Sequence, residues 1–439
     1  MLGFLTLVSQ TLVACLFSFL LFILYASAVP LATTNTRPSY HITPEQKWMS
    51  DTQRPFLLGD EWHLYYLYNF DFDSSNPGSG GTEWYHITST DMVHWTRRGV
   101  VLEKYKPNPP SGIILGDIET GSAVVDINNT AGLGRNAVVA IATQMPENAG
   151  VDLGTLECPD LYQIDLDDDS TKRTWIFTLG TNGYRYNRTA GSKAFRNGWM
   201  TGPDFYATVS WENPNSRYGS RYAIAWMNNW NYAASLPYYA DFAGQQSLVR
   251  EVKLKTINGS PTLVSIPIRG YQEIVAYSNS VSDKTITTDP ASVSLPSDME
   301  QGAYIIRATI SKNDGDEGNE VRFVIKSDGT FSTTVGYDFV RSQAFLVRDS
   351  DGSATDSMAA GPKEAYDTVR TAPDPLGGST VKLVIYVDWN SVEIFVNDGV
   401  AVLLGLIYPN QEANGVQVVS DTGSLTLETG GIRAEQVVI

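Results

Sequence analysis

The sequence is poor in cysteine, in histidine and in positive charge. Its 439 residues include two cysteines and four histidines, and 48 acidic residues against 31 basic ones give a net charge of −17. So few cysteines exclude a disulfide scaffold, and the histidines have no metal-ligand spacing. The acidic excess argues against nucleic acids and anionic membrane surfaces as partners, because both require basic patches. A neutral substrate fits this charge better.

Long segments with an apolar period of 3.6 residues, which would indicate helices, are also absent. A glycine-rich phosphate-binding loop is absent too, so no cofactor is predicted. From about residue 40 to 265, short β-rich runs alternate with turn clusters, which indicates an all-β region. The hairpin spacing suits a propeller or a barrel. The β-rich runs include His63–Tyr68, Trp84–Thr88, Ala137–Ala142, Leu161–Leu166, Thr174–Leu179 and Tyr222–Met227. Within this region the acidic run Asp165–Asp169 favours a solvated hairpin turn over a calcium loop.

A second all-β segment begins near residue 270, and the length of the chain predicts two domains. Val381–Val387 and Ser391–Val396 are strand-like, and Asn397-Asp398-Gly399 is a strong hairpin signal. A β-sandwich is the simplest closure for so many strands. The Ser-, Ala- and Gly-rich stretch Asp349–Lys363 predicts a surface connection.

The N-terminus is an uncharged apolar run that ends in Ala26-Ser27-Ala28, the small-x-small form of a signal-peptidase site. A signal peptide over residues 1–28 and a secreted protein are therefore predicted. The run is also long enough to span a bilayer, which leaves an uncleaved membrane tether as the alternative. Sequons for N-glycans begin at Asn128, Asn187 and Asn258, in agreement with export.

Two carboxylates stand out by their surroundings, Asp51 in WMSD and Glu157 in LECPDLY. Glycoside cleavage requires such a pair, one to attack the anomeric carbon and one to protonate the leaving oxygen. Taken singly, Asp51 reads as a turn residue and Glu157 as an exposed edge charge. On residue type alone, these structural interpretations are favoured for each carboxylate.

Seven motifs, in order, cover nearly the whole chain after the N-terminal run. They are HITPEQKWMSD, EWYHITSTDMVHW, TGSAVVD, ECPDLY, DFYATVSW, AIAWMNNWNYA and SVEIFVNDGVAVLLGLIYP. Together they resemble glycoside hydrolase family 32, the invertase, inulinase and levanase group. The resemblance implies a five-bladed β-propeller over residues 36–265 followed by a β-sandwich over 272–439.

The same resemblance implies roles for individual residues. Asp51 matches the nucleophile and Glu157 the acid/base. Trp84 matches a tryptophan of the active-site wall, although a core role fits it nearly as well. Gln53 and Thr120 fall at motif positions near the fructose pocket, so both are predicted to bind substrate.

Two departures from the family pattern bear on activity. Ser50 and Thr52 replace the usual residues beside Asp51, which leaves the substrate preference open. The family's RDP motif is absent, and the 36 residues from Gly121 to Glu157 are fewer than the roughly 40 to 45 of one four-stranded blade. We therefore expect an incomplete propeller, with a segment missing near residues 147–152.

These observations predict a secreted, retaining glycoside hydrolase that acts on the β-fructofuranosyl linkages of sucrose or of inulin- or levan-type fructans. Two alternatives stay open. One is a fructosyltransferase similar to levan fructotransferases. The other is a catalytically impaired protein that only binds fructan.

Overall fold

The computed structural model describes residues 37–73, 80–104, 115–146, 156–181, 203–236, 242–281, 284–293, 302–313, 315, 319–348, 355, 358–410, 413 and 415–437. The predicted signal peptide, the sequon at Asn187 and the join near residues 147–152 lie outside these ranges. Within them, no helix is long and apolar enough to cross a membrane.

Fourteen strands make up the part of the described chain that precedes residue 268. In chain order they are β1 (Lys47–Thr52), β2 (Phe56–Leu58), β3 (Glu61–Asn69), β4 (Glu83–Ser89), β5 (Thr96–Leu102), β6 (Leu115–Asp126), β7 (Ala137–Pro146), β8 (Leu156–Leu166), β9 (Asp169–Thr181), β10 (Tyr206–Glu212), β11 (Arg221–Trp226), β12 (Phe242–Ala243), β13 (Arg250–Ile257) and β14 (Ser260–Pro267). Short 3-10 helices cover Ala233–Ser235, Arg269–Gln272 and Pro290–Ser292.

These strands form three sheets. The first has the order β12-β1-β3-β4-β5 with β2 on β3, and the last has the order β10-β11-β13-β8-β9 with β14 on β13. Between them in the chain, β6 and β7 form a two-stranded sheet. Alternation of apolar and polar residues explains the strands: in β13, Val252 and Leu254 are buried, and Lys253 and Lys255, which follow each of them, are not.

The acidic run at Asp165–Asp169 forms the hairpin turn that the sequence favoured. Asp167 and Asp168 connect β8 to β9, and both have φ of 59°. Aspartate tolerates this left-handed conformation better than most residues do. Arg173 donates to Asp165 at 2.7 Å, and Lys255 donates to Asp168 at 2.5 Å, so protein cations satisfy both carboxylates.

The C-terminal part is a β-sandwich. Its elements are β15 (Val275–Val281), β16 (Thr285–Thr287), β17 (Tyr304–Lys312), β18 (Glu320–Ser327), β19 (Thr333–Asp338), β20 (Gln343–Arg348), α1 (Ala360–Asp367), β21 (Arg370–Pro373), β22 (Thr380–Val387), β23 (Ser391–Val396), β24 (Ala401–Leu406), β25 (Gly415–Ser420) and β26 (Ser424–Val437). One sheet has the order β15-β26-β17-β22-β23-β24 with β16 on β26, and the other has the order β21-β20-β19-β18-β25.

The sandwich core lies between these two sheets. Ile306 and Ile385 of the first sheet and Phe323 and Val335 of the second belong to one cluster of fully buried side chains. The predicted hairpin at Asn397–Gly399 is confirmed, with positive φ at all three residues and β23 paired to β24. The prediction for Asp349–Lys363 was wrong in part. Helix α1 begins at Ala360, and Met358 is buried against Tyr366 and its neighbours.

A buried ionic cluster joins the first part of the chain to the sandwich. His41 contacts Asp388 at 2.7 Å and Glu393 at 3.2 Å, and Arg250 donates to Glu393 at 2.6 Å. Burial opposes a charge on His41, but its hydrogen bonds to the two carboxylates prevail and raise its pKa to about 9. Two cations and two anions therefore neutralise one another in the interior.

A second buried cluster, centred on Asp204, also bridges the two parts. The carboxylate of Asp204 accepts hydrogen bonds from Tyr232, from Arg348 at 3.0 Å and from the backbone N–H of Leu406 at 2.7 Å. Arg348 belongs to β20 of the sandwich, whereas Asp204 and Tyr232 precede β13. Both clusters fix the sandwich against the sheets that precede it.

Candidate active site

A cavity of about 300 Å³ opens where four strand segments meet. The segments come from β1 and the residues after it, β6, β8 and β10. Their lining residues are Thr52, Gln53, Arg54, Thr120, Gly121, Ser122, Cys158, Pro159, Asp160, Thr208, Val209 and Ser210. Segments far apart in sequence thus meet around one cavity, the arrangement expected at the centre of a propeller.

Each of these four strands has an irregular register where it meets the cavity. The shifts fall at Met49/Thr52 in β1, Ile118/Gly121 in β6, Glu157/Asp160 in β8 and Tyr206/Val209 in β10. Cys158 and Ala207 also have positive φ. Bulges of this kind re-aim side chains and concentrate beside active sites. The backbone is therefore distorted at all four cavity walls.

The two predicted catalytic residues directly precede cavity residues in the chain, Asp51 before Thr52 and Glu157 before Cys158, but neither is among the described residues that line the cavity. Asp51 lies at the irregularity in β1 and is partly buried. The Sγ of Cys158 is 4.0 Å from Oδ2 of Asp51, which brings the start of β8 against the aspartate. The backbone of Glu157, next to Cys158, pairs with Gly180. The side chain of Glu157 lies outside the described part of the structure.

Gln53 ties two walls of the cavity together. Its side chain is fully buried, Oε1 accepts from the N–H of Gly121 at 2.6 Å, and Nε2 donates to the carbonyl of Asp51 at 3.3 Å. A Cβ on Gly121 would lie 2.0 Å from the carbonyl oxygen of Ile141, so glycine is required there. Gln53 and Thr120 both line the cavity, and their binding of substrate stays a prediction.

Trp84 is in a different environment. It is 1% exposed and packs with Phe56, Tyr65 and Ile118, and its Nε1 donates to the carbonyl of Glu119 at 3.1 Å. It is not among the described residues that line the cavity. This burial favours the core role, which the sequence had left open as the alternative to a place in the substrate wall.

Sequence reasoning missed a polar network on the far wall. Arg54 donates to both oxygens of Glu212 at 2.6 and 2.7 Å. Arg221 donates to Oγ of Ser210 at 3.0 Å, and Ser210 donates to Asp160 at 2.5 Å. Burial works against the charge of Glu212, but the bonds and charge of Arg54 prevail and lower its pKa. DTQRP and ECPDLY carry two of these residues, but only the fold joins them.

The described residues that line the cavity offer the carboxylate of Asp160, the guanidinium of Arg54 and several hydroxyl groups. Such groups can form hydrogen bonds with a neutral polyol. Within the described part of the chain, no group of three or more His, Cys, Asp or Glu residues could hold a metal ion.

Comparison with known proteins identifies the family. The model of the glycosyl hydrolases family 32 N-terminal domain matches residues 41–152 and 141–267, and that of the family 32 C-terminal region matches residues 273–434. The levanbiose-producing levanase of Bacillus subtilis is 28% identical, over 89% of this chain and 89% of its own length. An extracellular exo-inulinase of Aspergillus ficuum is 23% identical, over 88% of this chain and 92% of its own.

Solved structures agree on the fold. Exo-inulinase from Aspergillus awamori superimposes with a TM-score of 0.69 at 22% identity, covering 92% of this chain and 98% of its own. Fructofuranosidase from Schwanniomyces occidentalis in complex with fructose gives 0.71 at 18% identity, covering 94% and 100%. The predicted fold class, a five-bladed propeller type followed by a β-sandwich, is confirmed.

The matches also show that this chain lacks residues that the relatives have. The alignment with the Bacillus levanase runs over 493 positions, whereas 89% of 439 residues is about 390, so about 100 positions have no residue of this chain. The N-terminal family model matches in two pieces that overlap at residues 141–152, which include the last part of β7 and residues that follow it.

Two family models thus match residues 41 to 434 with little interruption, and the Bacillus levanase aligns with about nine-tenths of the chain. This chain belongs to glycosyl hydrolase family 32 and is a glycoside hydrolase by descent.

Proposed function

We propose that this protein hydrolyses β-fructofuranosyl linkages of fructans or sucrose with retention of configuration, Asp51 acting as nucleophile and Glu157 as acid/base. The observation that carries the proposal is the approach of β8 to Asp51. Cys158, the residue after Glu157, lies 4.0 Å from the Asp51 carboxylate at the wall of the cavity. Glycoside cleavage needs two carboxyl groups close together, and this approach brings the strand that carries Glu157 to the strand that carries Asp51.

In the proposed reaction, an Asp51 oxygen attacks the anomeric carbon of a terminal fructosyl unit. The bond to the leaving oxygen breaks, and Glu157 gives its proton to that oxygen. Glu157, now a carboxylate, removes a proton from water, whose oxygen attacks the fructosyl-Asp51 ester. The ester bond breaks, fructose leaves with its original configuration, and both carboxyl groups return to their starting states.

The substrate class rests on the relatives and on the charge. Several are named levanases or exo-inulinases, and a structural neighbour is in complex with fructose. Fructans and sucrose are neutral, which suits a protein with a net charge of −17. Arg54, Ser210 and Asp160 supply hydrogen-bonding groups beside Asp51 that a neutral sugar can use.

Secretion is part of the proposal. It is supported by the apolar N-terminal run with its small-x-small end and by relatives named extracellular. The sequon asparagines Asn128 and Asn258 are both exposed, as an N-glycan requires. N-terminal sequencing of the exported protein tests this part: a chain that begins at Val29 supports secretion, and one that keeps residues 1–28 supports the membrane tether.

A second candidate is a fructan-binding protein with little turnover, and the deficit of about 100 alignment positions favours it. The resemblance implies that the RDP motif of the family stabilises the transition state. This chain lacks that motif. Loss of one such contact commonly costs about 2.7 to 4 kcal/mol, or two to three powers of ten in rate. Calorimetric binding of a fructan oligosaccharide without release of free fructose would favour this candidate.

The experiment that tests the proposal compares Asp51→Asn with the matched control Asp60→Asn, which changes an exposed aspartate in the turn after β2. Levan, inulin and sucrose are the substrates, and release of fructose is measured. We expect Asp51→Asn to lose about a thousand-fold or more in kcat, or to fall to background, and the control to keep its rate. Equal rates for Asp51→Asn and the parent chain would overturn the nucleophile assignment.

The products separate hydrolysis from its rivals. Free fructose, and in methanol a methyl fructoside of unchanged configuration, are expected from a retaining hydrolase. Oligofructans or dianhydrides without free fructose would reject hydrolysis in favour of fructosyl transfer.

A further inference from the structure

Asp160, in the wall of the cavity, has one carboxylate oxygen that the protein holds and one that it does not. Oδ2 accepts two hydrogen bonds from Ser210, from its backbone N–H at 3.0 Å and from its hydroxyl at 2.5 Å. No described residue donates a hydrogen bond to Oδ1. Asp160 is only partly buried and lines the cavity, so its second oxygen can accept a hydrogen bond from a bound molecule.

The hydroxyl of Ser210 is itself oriented by a buried arginine. Nε of Arg221 donates to Oγ of Ser210 at 3.0 Å, which leaves the proton of that hydroxyl to point at Asp160. Arg221 is 3% exposed and Ser210 is 1% exposed, and the guanidinium lies 4.4 Å over the ring of Tyr162. Neither residue can change partners without opening the interior, so the Asp160 carboxylate is held in one orientation.

The other carboxylate at this wall, Glu212, is already neutralised. It accepts two hydrogen bonds from Arg54, and a nitrogen of Arg221 lies 3.7 Å from it. Within the described ranges Asp160 forms no ion pair, and its link to Arg221 passes through Ser210. An ionised carboxylate that is fixed but not neutralised is a strong acceptor for the hydroxyl groups of a neutral ligand.

Asp160 also lies close to the predicted nucleophile. Cys158, two residues before it in β8, is 4.0 Å from the carboxylate of Asp51. Two residues of chain span at most about 7 Å, and both Cys158 and Asp160 line the same cavity. One sugar unit held against Asp51 is therefore within reach of Asp160.

We propose that Asp160 binds a hydroxyl group of the fructosyl unit through Oδ1, and that Ser210 and Arg221 are positioning residues that hold Asp160 for this contact. The ligand class is a neutral furanoside whose ring hydroxyl groups donate to a fixed carboxylate. The inference rests on the proposed function for the identity of the sugar, but not on turnover, because the contact is one of binding.

Calorimetric binding of methyl β-fructofuranoside and of its monodeoxy analogues tests the contact. Every protein carries Asp51→Asn, so that the ligand is not consumed. We expect Asp160→Asn to weaken binding of the complete ligand about tenfold or more, because a hydrogen bond to a charged acceptor is lost. For one analogue, removal of the hydroxyl should weaken binding only where Asp160 is intact. Asp169→Asn, at the far end of the same hairpin, is the matched control and should leave binding unchanged.

The outcomes separate this inference from the proposed function. If each analogue binds more weakly by the same factor with and without Asp160→Asn, or if the protein binds none of these ligands, the inference fails. Release of fructose by the Asp51→Asn protein would instead overturn the nucleophile assignment. A chain without that substitution that shows the expected binding pattern but releases no fructose would reject hydrolysis and support the contact.

Ser210→Ala tests the positioning role, because it removes only the hydroxyl that joins Arg221 to Asp160. We expect it to weaken binding about threefold to tenfold, and to weaken it no further when it is added to Asp160→Asn. Arg221→Lys keeps the charge but not the geometry of the donor, and should act in the same direction. Melting temperatures record any loss of stability separately. Binding losses that add in full in the double variant would reject the positioning role.

Discussion

Two arginine–glutamate pairs of the same length lie in very different surroundings. Arg54 donates to Glu212 at 2.6 Å on the cavity wall, where the two side chains are 40% and 48% exposed. Arg250 donates to Glu393 at 2.6 Å between propeller and sandwich, where they are 1% and 0% exposed. The comparison shows that contact distance alone does not assign a role to an ion pair. Burial makes the second pair part of the framework, and exposure leaves the first accessible to a ligand.

The electrostatics of the two pairs differ for the same reason. Burial lowers the pKa of Arg250 and works against the charge of Glu393, whose pKa is nevertheless lowered by the charge of Arg250 and the hydrogen bond to His41. The buried cluster holds its charges only because each partner is present. At the cavity wall, water shares in the solvation of Arg54 and Glu212, so neither depends on the other to the same degree.

The largest expected effect comes from breaking the buried pair. Glu393→Ala leaves His41 and Arg250 without their shared anion in the interior, and such a loss typically costs about 3 to 5 kcal/mol of unfolding free energy. Glu212→Ala is the matched control, and its cost should be about 1 kcal/mol or less. Urea unfolding followed by fluorescence measures both. Equal losses in the two variants would contradict the comparison.

A smaller effect, the dependence of folding stability on pH, should appear only at the buried cluster. Because the folded pKa of His41 is about 9, above its ordinary 6.5, its contribution to stability is complete below pH 6.5 and is lost as the pH rises through 9. Asp388 also faces the buried Lys326, whose pKa is lowered to about 8 by burial and whose linkage has the opposite sign. The difference between the parent chain and His41→Gln therefore isolates the histidine.

Melting temperatures from pH 6 to pH 9.5 measure that difference. We expect the stability lost in His41→Gln to be greatest near pH 6 and to shrink toward pH 9.5. A difference that is constant across this range would mean that His41 is neutral in the folded protein.

The smallest effect on stability, and the most informative for function, is expected at the exposed pair. Arg54→Ala should change the unfolding free energy by about 1 kcal/mol or less, because the pair is solvated. Substrate binding should weaken, because the variant removes the guanidinium that borders the cavity beside Asp51. Binding of a fructan oligosaccharide by calorimetry, with Arg98→Ala at the exposed Arg98–Glu61 pair as control, tests this. Unchanged affinity in Arg54→Ala would remove Arg54 from the site.

Much of the fold could be predicted from local pattern. β-Rich runs such as those in β4 and β22 identified strands, and Asp167-Asp168 and Asn397-Asp398-Gly399 marked hairpins. Asp51 came from a motif, and its contact with Cys158 brings β8 close to it, but the catalytic role stays a prediction. The partners of His41 were not predictable, because Asp388 and Glu393 lie about 350 residues away in the chain.

The sequence by itself determined the all-β class, the turns and a pair of candidate carboxylates, because alternation, turn chemistry and motifs are properties of neighbouring residues. Only the tertiary structure decided that Trp84 is core, that Gln53 joins two walls of the cavity, and which arginine–glutamate pair is buried. Those outcomes depend on how strands from distant parts of the chain exclude water. The strength of a charge interaction follows that exclusion and not the identity of the residues.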